Sequence, residues 1–148
     1  MKPTQISITI DTEGSIGGAF AEGATVEPVG SPAIDCMVNG KSNGVGFMLD
    51  LFRNYNIKAT FFVECANYYY FGDHPMRDTV VKIMEAGQDV QLHVHPCWLH
   101  YIDDPELGGF SQNDNCYGRD YGELKRIFEL SIDVFERCLL YTSDAADD

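Results

Sequence analysis

The chain is short of positive charge, of paired cysteines and of long apolar runs, and each shortage argues against a class of function. Ten Lys and Arg stand against 23 Asp and Glu in 148 residues, a formal charge of −13. Such a surface repels phosphate backbones and anionic headgroups, so neither nucleic acid nor a membrane is an expected partner. Five cysteines occur, none in Cys-x-x-Cys spacing, which speaks against a thiolate zinc cage and against a compact disulfide framework. No run of eighteen apolar residues exists, and Met1-Lys2-Pro3-Thr4 leads into a strand pattern without an apolar leader, so the expected location is the cytoplasm. Internal repeats and low-complexity segments are lacking too.

What is present suits one domain with a real core: 45% hydrophobic residues, including nine Phe and eight Tyr. Gln5 to Ile10 alternates polar residues with Ile and predicts a strand, with Ile6, Ile8 and Ile10 on one face and Asp11 pointing away from it. Gly14 to Gly40 is rich in Gly, Pro and Ala without a period, which predicts a long covering loop. Val45, Met48, Leu49 and Phe52 have helical spacing after Ser42, an acceptable N-cap, and the helix should end near Tyr55-Asn56. Ile57 to Val63 is a nearly continuous apolar run, as in a strand buried on both faces.

Pro75 suits a first helical position, Val80, Val81, Ile83 and Met84 supply a stripe, and Gly87 a stop. Asp89 to His95 returns to strand, with Gln91, His93 and His95 on one side. A last helix is expected from about Tyr121 to Arg137, with Leu124, Ile127, Phe128 and Val134 inward. Alternating strands and helices predict an α/β fold, a parallel sheet with crossover helices, open or closed into a barrel. In either form the ligand site lies at the carboxyl ends of the strands.

Two acids and two imidazoles arrive there. Asp11 and Glu13 share a pleat face if the chain stays extended, and His93 and His95 stand in the same relation. Neutral imidazole suits zinc and similar divalent ions, and a carboxylate completes a three-ligand set with a position left for water. The expected set is Glu13, His93 and His95 around a divalent metal, zinc first, with Asp11 as general base; the two acids could exchange roles. Cys97 could replace His95, with a small buried thiol as the alternative. Trp98, the single tryptophan, is the candidate wall of a substrate cleft, with core packing as the alternative. His74 and His100 read as loop residues.

Three segments resemble the polysaccharide deacetylase family, the metal-dependent enzymes of the NodB-homology domain. Ser7-Ile8-Thr9-Ile10-Asp11-Thr12-Glu13-Gly14 resembles its opening T-F-D-D-G, Lys58-Ala59-Thr60-Phe61-Phe62-Val63 its second strand, and Asp89-Val90-Gln91-Leu92-His93-Val94-His95-Pro96 its histidine motif. The resemblance implies a distorted (β/α)7 barrel and hydrolysis of an N-acetyl or O-acetyl group on a carbohydrate. It places the base on Asp11, the metal carboxylate on Glu13 and the first histidine on His93. It departs from the family by one residue inserted between the acids, and by a second histidine, His95, that keeps its proline but not its spacing. The alternatives within this reading are hydrolysis of another non-peptide C–N bond, and a barrel that binds glycan without catalysis.

The final segment, Cys138 to Asp148, breaks the preceding pattern and resembles a translated sequencing adapter. Residues 1–137 are therefore expected to be the front part of such a catalytic domain, truncated after about the first half of its barrel. The family's later arginine, cleft aromatic and leaving-group histidine would then be lacking, and the segment alone is expected to be inactive. Without the last three aspartates the charge is −10, ten basic against twenty acidic residues.

Overall fold

In a computed structural model, which describes residues 4–72 and 76–143, the elements follow one another as β1 (Thr9–Thr12), α1 (Ser31–Asp35), β2 (Met37–Val38), β3 (Lys41–Ser42), α2 (Val45–Tyr55), β4 (Thr60–Glu64), α3 (Tyr68–Phe71), α4 (Arg77–Glu85), β5 (Asp89–His93), a 3-10 turn (Pro96–Tyr101) and α5 (Tyr121–Ser143). β1, β4 and β5 form a parallel sheet in that order. Thr9 to Thr12 lie abreast of Thr60 to Val63, and Thr60 to Glu64 abreast of Asp89 to His93.

Alternation along each strand divides the sheet into two unlike faces. Phe61 and Val63 are completely buried, and with Ile10 and Val90 they meet Val45, Leu49 and Phe52 of α2, Val80 and Ile83 of α4, and Val134 of α5. The other face carries Thr9 and Asp11, Thr60 and Phe62, Asp89 and Gln91, all exposed or half-buried. β4 was expected to be buried on both faces; Phe62 and Thr60 are half-buried instead, because the helices that form the core lie on the Phe61 side. The first strand also begins later than its sequence pattern. Ile6 is 82% exposed, and Thr60 N–H donates to Ile8 O (3.0 Å) just ahead of the ladder.

The expected loop from Gly14 to Gly40 is partly ordered by its own backbone. Ser15 and Val29 exchange both hydrogen bonds, 2.7 and 2.8 Å, and so pinch off residues 16–28. β2 and β3 are joined by Asn39-Gly40, both at positive φ (50° and 75°). That is the dipeptide a two-residue hairpin of opposite-hand turn requires. Ser42 does not cap α2, whose N-cap is Gly44. Its hydroxyl instead donates to Asp35 O (2.8 Å) and accepts from Gly46 N–H (3.1 Å), satisfying one of the helix's open donors from two residues upstream. Gly44 admits no side chain, since a Cβ there would lie 1.9 Å from Ile34 O. α2 ends at Asn56 in the left-handed region, φ 51°.

Pro75 and His74 lie outside the described residues. In α4 the buried side chains are Thr79, Val80 and Ile83, with Met76 just ahead of them, while Met84, expected in the stripe, is exposed because it falls on the solvent side of the turn. α5 buries Ile127, Ser131, Val134 and Cys138, a 4-3-4 spacing that turns Phe128 outward rather than inward. The helix continues through Arg137, and Leu139 packs against the same core as Val134 and Cys138. Among the described residues no helix is long and apolar enough to cross a membrane.

Candidate metal centre

Register decides which side chains can meet. Asp11, Phe62 and Gln91 stand in one cross-strand row, and Glu64 and His93 in the row one pleat further along. Glu13 lies one residue past the end of β1, two beyond Asp11, and so falls level with that second row. His95 has left the ladder but keeps an extended backbone (φ −113°, ψ 100°), which preserves the two-residue alternation and turns its ring back toward His93. Gly14 lets the first strand turn here, since a Cβ would lie 2.9 Å from Val29 O.

Glu13, His93 and His95 converge as expected from their spacing, each offering one ligand atom within 4.8 Å of the others. His93 Nε2 lies 3.2 Å from Glu13 Oε2 and 3.0 Å from His95 Nε2, and His95 Nε2 also contacts Glu13 Oε2. Asp11 is the outlying member, Oδ1 4.0 Å from His93 Nδ1, its side chain 67% exposed. The Glu13 Oε2 atom is buried, and without a hydrogen on a facing imidazole nitrogen it has no donor among the described residues.

Two residues that sequence reasoning missed complete the surroundings. Asp114, from the irregular stretch between the 3-10 turn and α5, sets Oδ2 2.5 Å from His95 Nδ1. A carboxylate only accepts, so His95 carries its hydrogen at Nδ1 and, when neutral, aims the Nε2 lone pair at Glu13 and His93. Burial opposes ionisation of Asp114, yet hydrogen bonds from His95 and Cys97 hold its pKa below the ordinary value. The Asp114 hydrogen bond, helped by the charges of Asp114, Glu13 and Glu64 and opposed by burial, pushes His95 up to about 9. The pocket thus favours positive charge between its acids and imidazoles, which a proton or a divalent cation can supply.

Glu64 closes β4 beside His93 and is fully buried, accepting from Ala66 N–H (2.6 Å) and Asn67 N–H (3.1 Å). Burial raises its pKa to about 8, against the lowering effect of those two donors. The signal for it was available: an acid ending an apolar run occupies the pleat position that singled out Glu13 and His93. Asn67, also fully buried, has no hydrogen-bond partner among the described residues for its side-chain Oδ1 or Nδ2, and a Cβ on Gly14 would lie 3.6 Å from that Nδ2.

Glu64 gives the metal-free protein a pH-dependent stability. The unfolded chain ionises this acid near 4.5, the fold only near 8, so between those values the unfolded state binds fewer protons and stability falls as pH rises. The loss is complete above about pH 8 and is on the order of 5 kcal/mol. His95 acts in the same direction between about 6.5 and 9, so Glu64 is isolated by difference. Urea midpoints at pH 5 and pH 8 should diverge strongly in the parent protein and much less in Glu64→Gln; equal divergence would remove Glu64 as the cause.

Cys97 and Trp98 occupy the interior. The Cys97 thiol is buried, which with its Asp114 hydrogen bond pushes its pKa well above the ordinary thiol value. Trp98, expected on a cleft wall, is 1% exposed and packs against Phe20, Tyr70 and Phe71 at centroid distances of 5.7 to 5.8 Å. A ring so enclosed serves the core here, because the turn that follows His95 drives residues 96–99 inward. His100 sits in that turn with Nδ1 2.8 Å from Phe110 O.

One carboxylate oxygen and two imidazole nitrogens form a donor set matched to zinc or a neighbouring divalent ion, and Glu13 Oε2, buried between the two imidazoles, is the atom such an ion would satisfy. Compared with models of protein families, with characterised proteins and with solved structures, the chain has no match.

Proposed function

We propose that this chain carries the metal site and general base of a metal-dependent hydrolase that removes acetyl groups from a carbohydrate, as a polysaccharide deacetylase does. The observation that carries the metal half of this reading is the meeting of Glu13, His93 and His95 at the carboxyl end of a parallel sheet. The carbohydrate half rests on the resemblance of the three segments that bear these residues. The sheet fits the barrel reading in one respect: its main core lies on one side of the strands, whereas a doubly wound sheet covers both faces.

A divalent metal bound to these three side chains would supply a Lewis acid for the acyl oxygen and lower the pKa of water in its open position. Asp11 provides the proton acceptor: its carboxylate stands beside the cluster, exposed, with no described cation to neutralise it other than His93. Glu13 faces the imidazole pair from the far side of the sheet, and Glu64, buried and tied to the amides of Ala66 and Asn67, is not placed to compete for the base role. The residues 1–137 would be the front portion of the enzyme, with the leaving-group acid supplied by later strands.

Calorimetric titration of the metal-free protein with zinc should give one site per chain. Acetate release from N-acetylglucosamine oligomers should then follow in the longest protein whose reading frame continues past Arg137. A chain that takes up no zinc sinks the reading. Stoichiometric zinc without acetate from any acetylated glycan would shift it to another C–N bond.

A further inference from the structure

We propose that Asp114 is a positioning residue for the metal centre, fixing the ring of His95 so that its Nε2 faces Glu13 and His93. This inference rests on the metal reading above and extends it to a residue no motif contains.

The geometry is specific. Asp114 Oδ2 meets His95 Nδ1 at 2.5 Å, while Oδ1 accepts from the backbone N–H of Cys97 at 3.4 Å. One carboxylate therefore fixes the ring at 95 and the main chain two residues on, where the chain leaves the sheet for the 3-10 turn. The contact falls on the ring nitrogen remote from the cluster, so Asp114 is a partner of the ligand and not a fourth ligand. A histidine whose outer nitrogen is held by a carboxylate loses rotational freedom and a wrong tautomer, and it becomes a better donor at its inner nitrogen.

Asp114 is itself held in place. The Arg119 guanidinium, its side chain only 4% exposed, donates to the backbone oxygens of Asn113 and Asn115 on either side, the latter at 2.8 Å, and pairs with Glu123 at the start of α5. Asn115 N–H also donates to the Asn113 side-chain oxygen at 3.0 Å. The stretch around Asp114 is thus anchored to a helix rather than left to find His95 by chance. Without this anchoring His95, already past the end of β5, would depend on the extended backbone at 95 alone to keep its direction.

The test is zinc affinity measured by chelator competition on the full chain, for the parent and for Asp114→Ala and Asp114→Asn, with thermal melting of each in the metal-free state. Removing the carboxylate should weaken zinc binding by about 10- to 100-fold. The amide oxygen of Asn can still accept from Nδ1–H, so Asp114→Asn should recover most of that loss. Cobalt substituted for zinc should show an altered visible spectrum in Asp114→Ala and a near-parent one in Asp114→Asn. Parent-like zinc affinity in Asp114→Ala overturns the inference while leaving the metal site standing. If Asp114→Ala fails to fold, Asp114→Asn decides: a cobalt spectrum and affinity near the parent's support positioning, and loss as deep as that of a missing ligand overturns it. Failure of the parent to bind zinc overturns the metal reading itself and is seen before any variant is made.

Discussion

Glu13→Gln should lower zinc affinity by about 10² to 10³. A structural zinc site with four ligands yields roughly 10 to 16 kcal/mol, so each ligand accounts for on the order of 3 kcal/mol, and 1.4 kcal/mol is a factor of ten. Glutamine keeps the shape of Glu13 and one acceptor oxygen but removes the negative charge that His93 and His95 both face. His95→Ala should cost at least as much, because it also strands the Asp114 carboxylate against Cys97 without its principal donor. Dye competition at pH 7.5 checks both. Zinc binding unchanged in Glu13→Gln would move the site off this cluster.

Asp11→Asn should leave zinc affinity within a few-fold of the parent and reduce acetate release by about 10² to 10⁴, the range that general-base catalysis contributes. The distinction follows from position. Asp11 stands 4.0 Å from the far nitrogen of His93 and lies outside the trio whose ligand atoms meet. Loss of zinc in step with loss of turnover would instead make Asp11 a ligand and hand the base role to Glu13. The measurement belongs in whichever length of the protein releases acetate, with zinc content read on the same sample.

The residues that define the centre were legible because strand geometry is periodic. Asp11 with Glu13 and His93 with His95 each differ by two, and two is the repeat that returns a side chain to the same face. Asp114 was not legible, since it reaches His95 through nineteen residues of turn and irregular chain that carry no period, and Arg119, which fixes that stretch, works through backbone oxygens that any sequence would present. The same limit explains the first loop: Ser15 and Val29 pair through main-chain atoms alone. The Asn39-Gly40 hairpin is a different case. Its turn signal is among the strongest in a sequence, and it was masked by the Gly and Pro around it. Phe128 shows how an apolar residue can follow a helical stripe by type and miss it by angle, since Ile127 and Ser131 fix the inward line of α5. Trp98 shows that a residue three places from a ligand need not face the site once the backbone changes from strand to turn.

Glu13, just past the end of β1, and His93, the last residue of β5, belong to opposite flanks of the sheet; β4 lies between them, and eighty residues of chain separate them. An ion held by both is therefore a cross-link that spans the sheet from one flank to the other. If closed by a covalent bridge, a loop of this length would restrict the unfolded chain by roughly 4 to 5 kcal/mol. The strand that would benefit most is the one contributing no ligand: the amides of Thr60 to Glu64 cannot open to solvent until a neighbour moves away, and such a cross-link would forbid that movement on both sides at once.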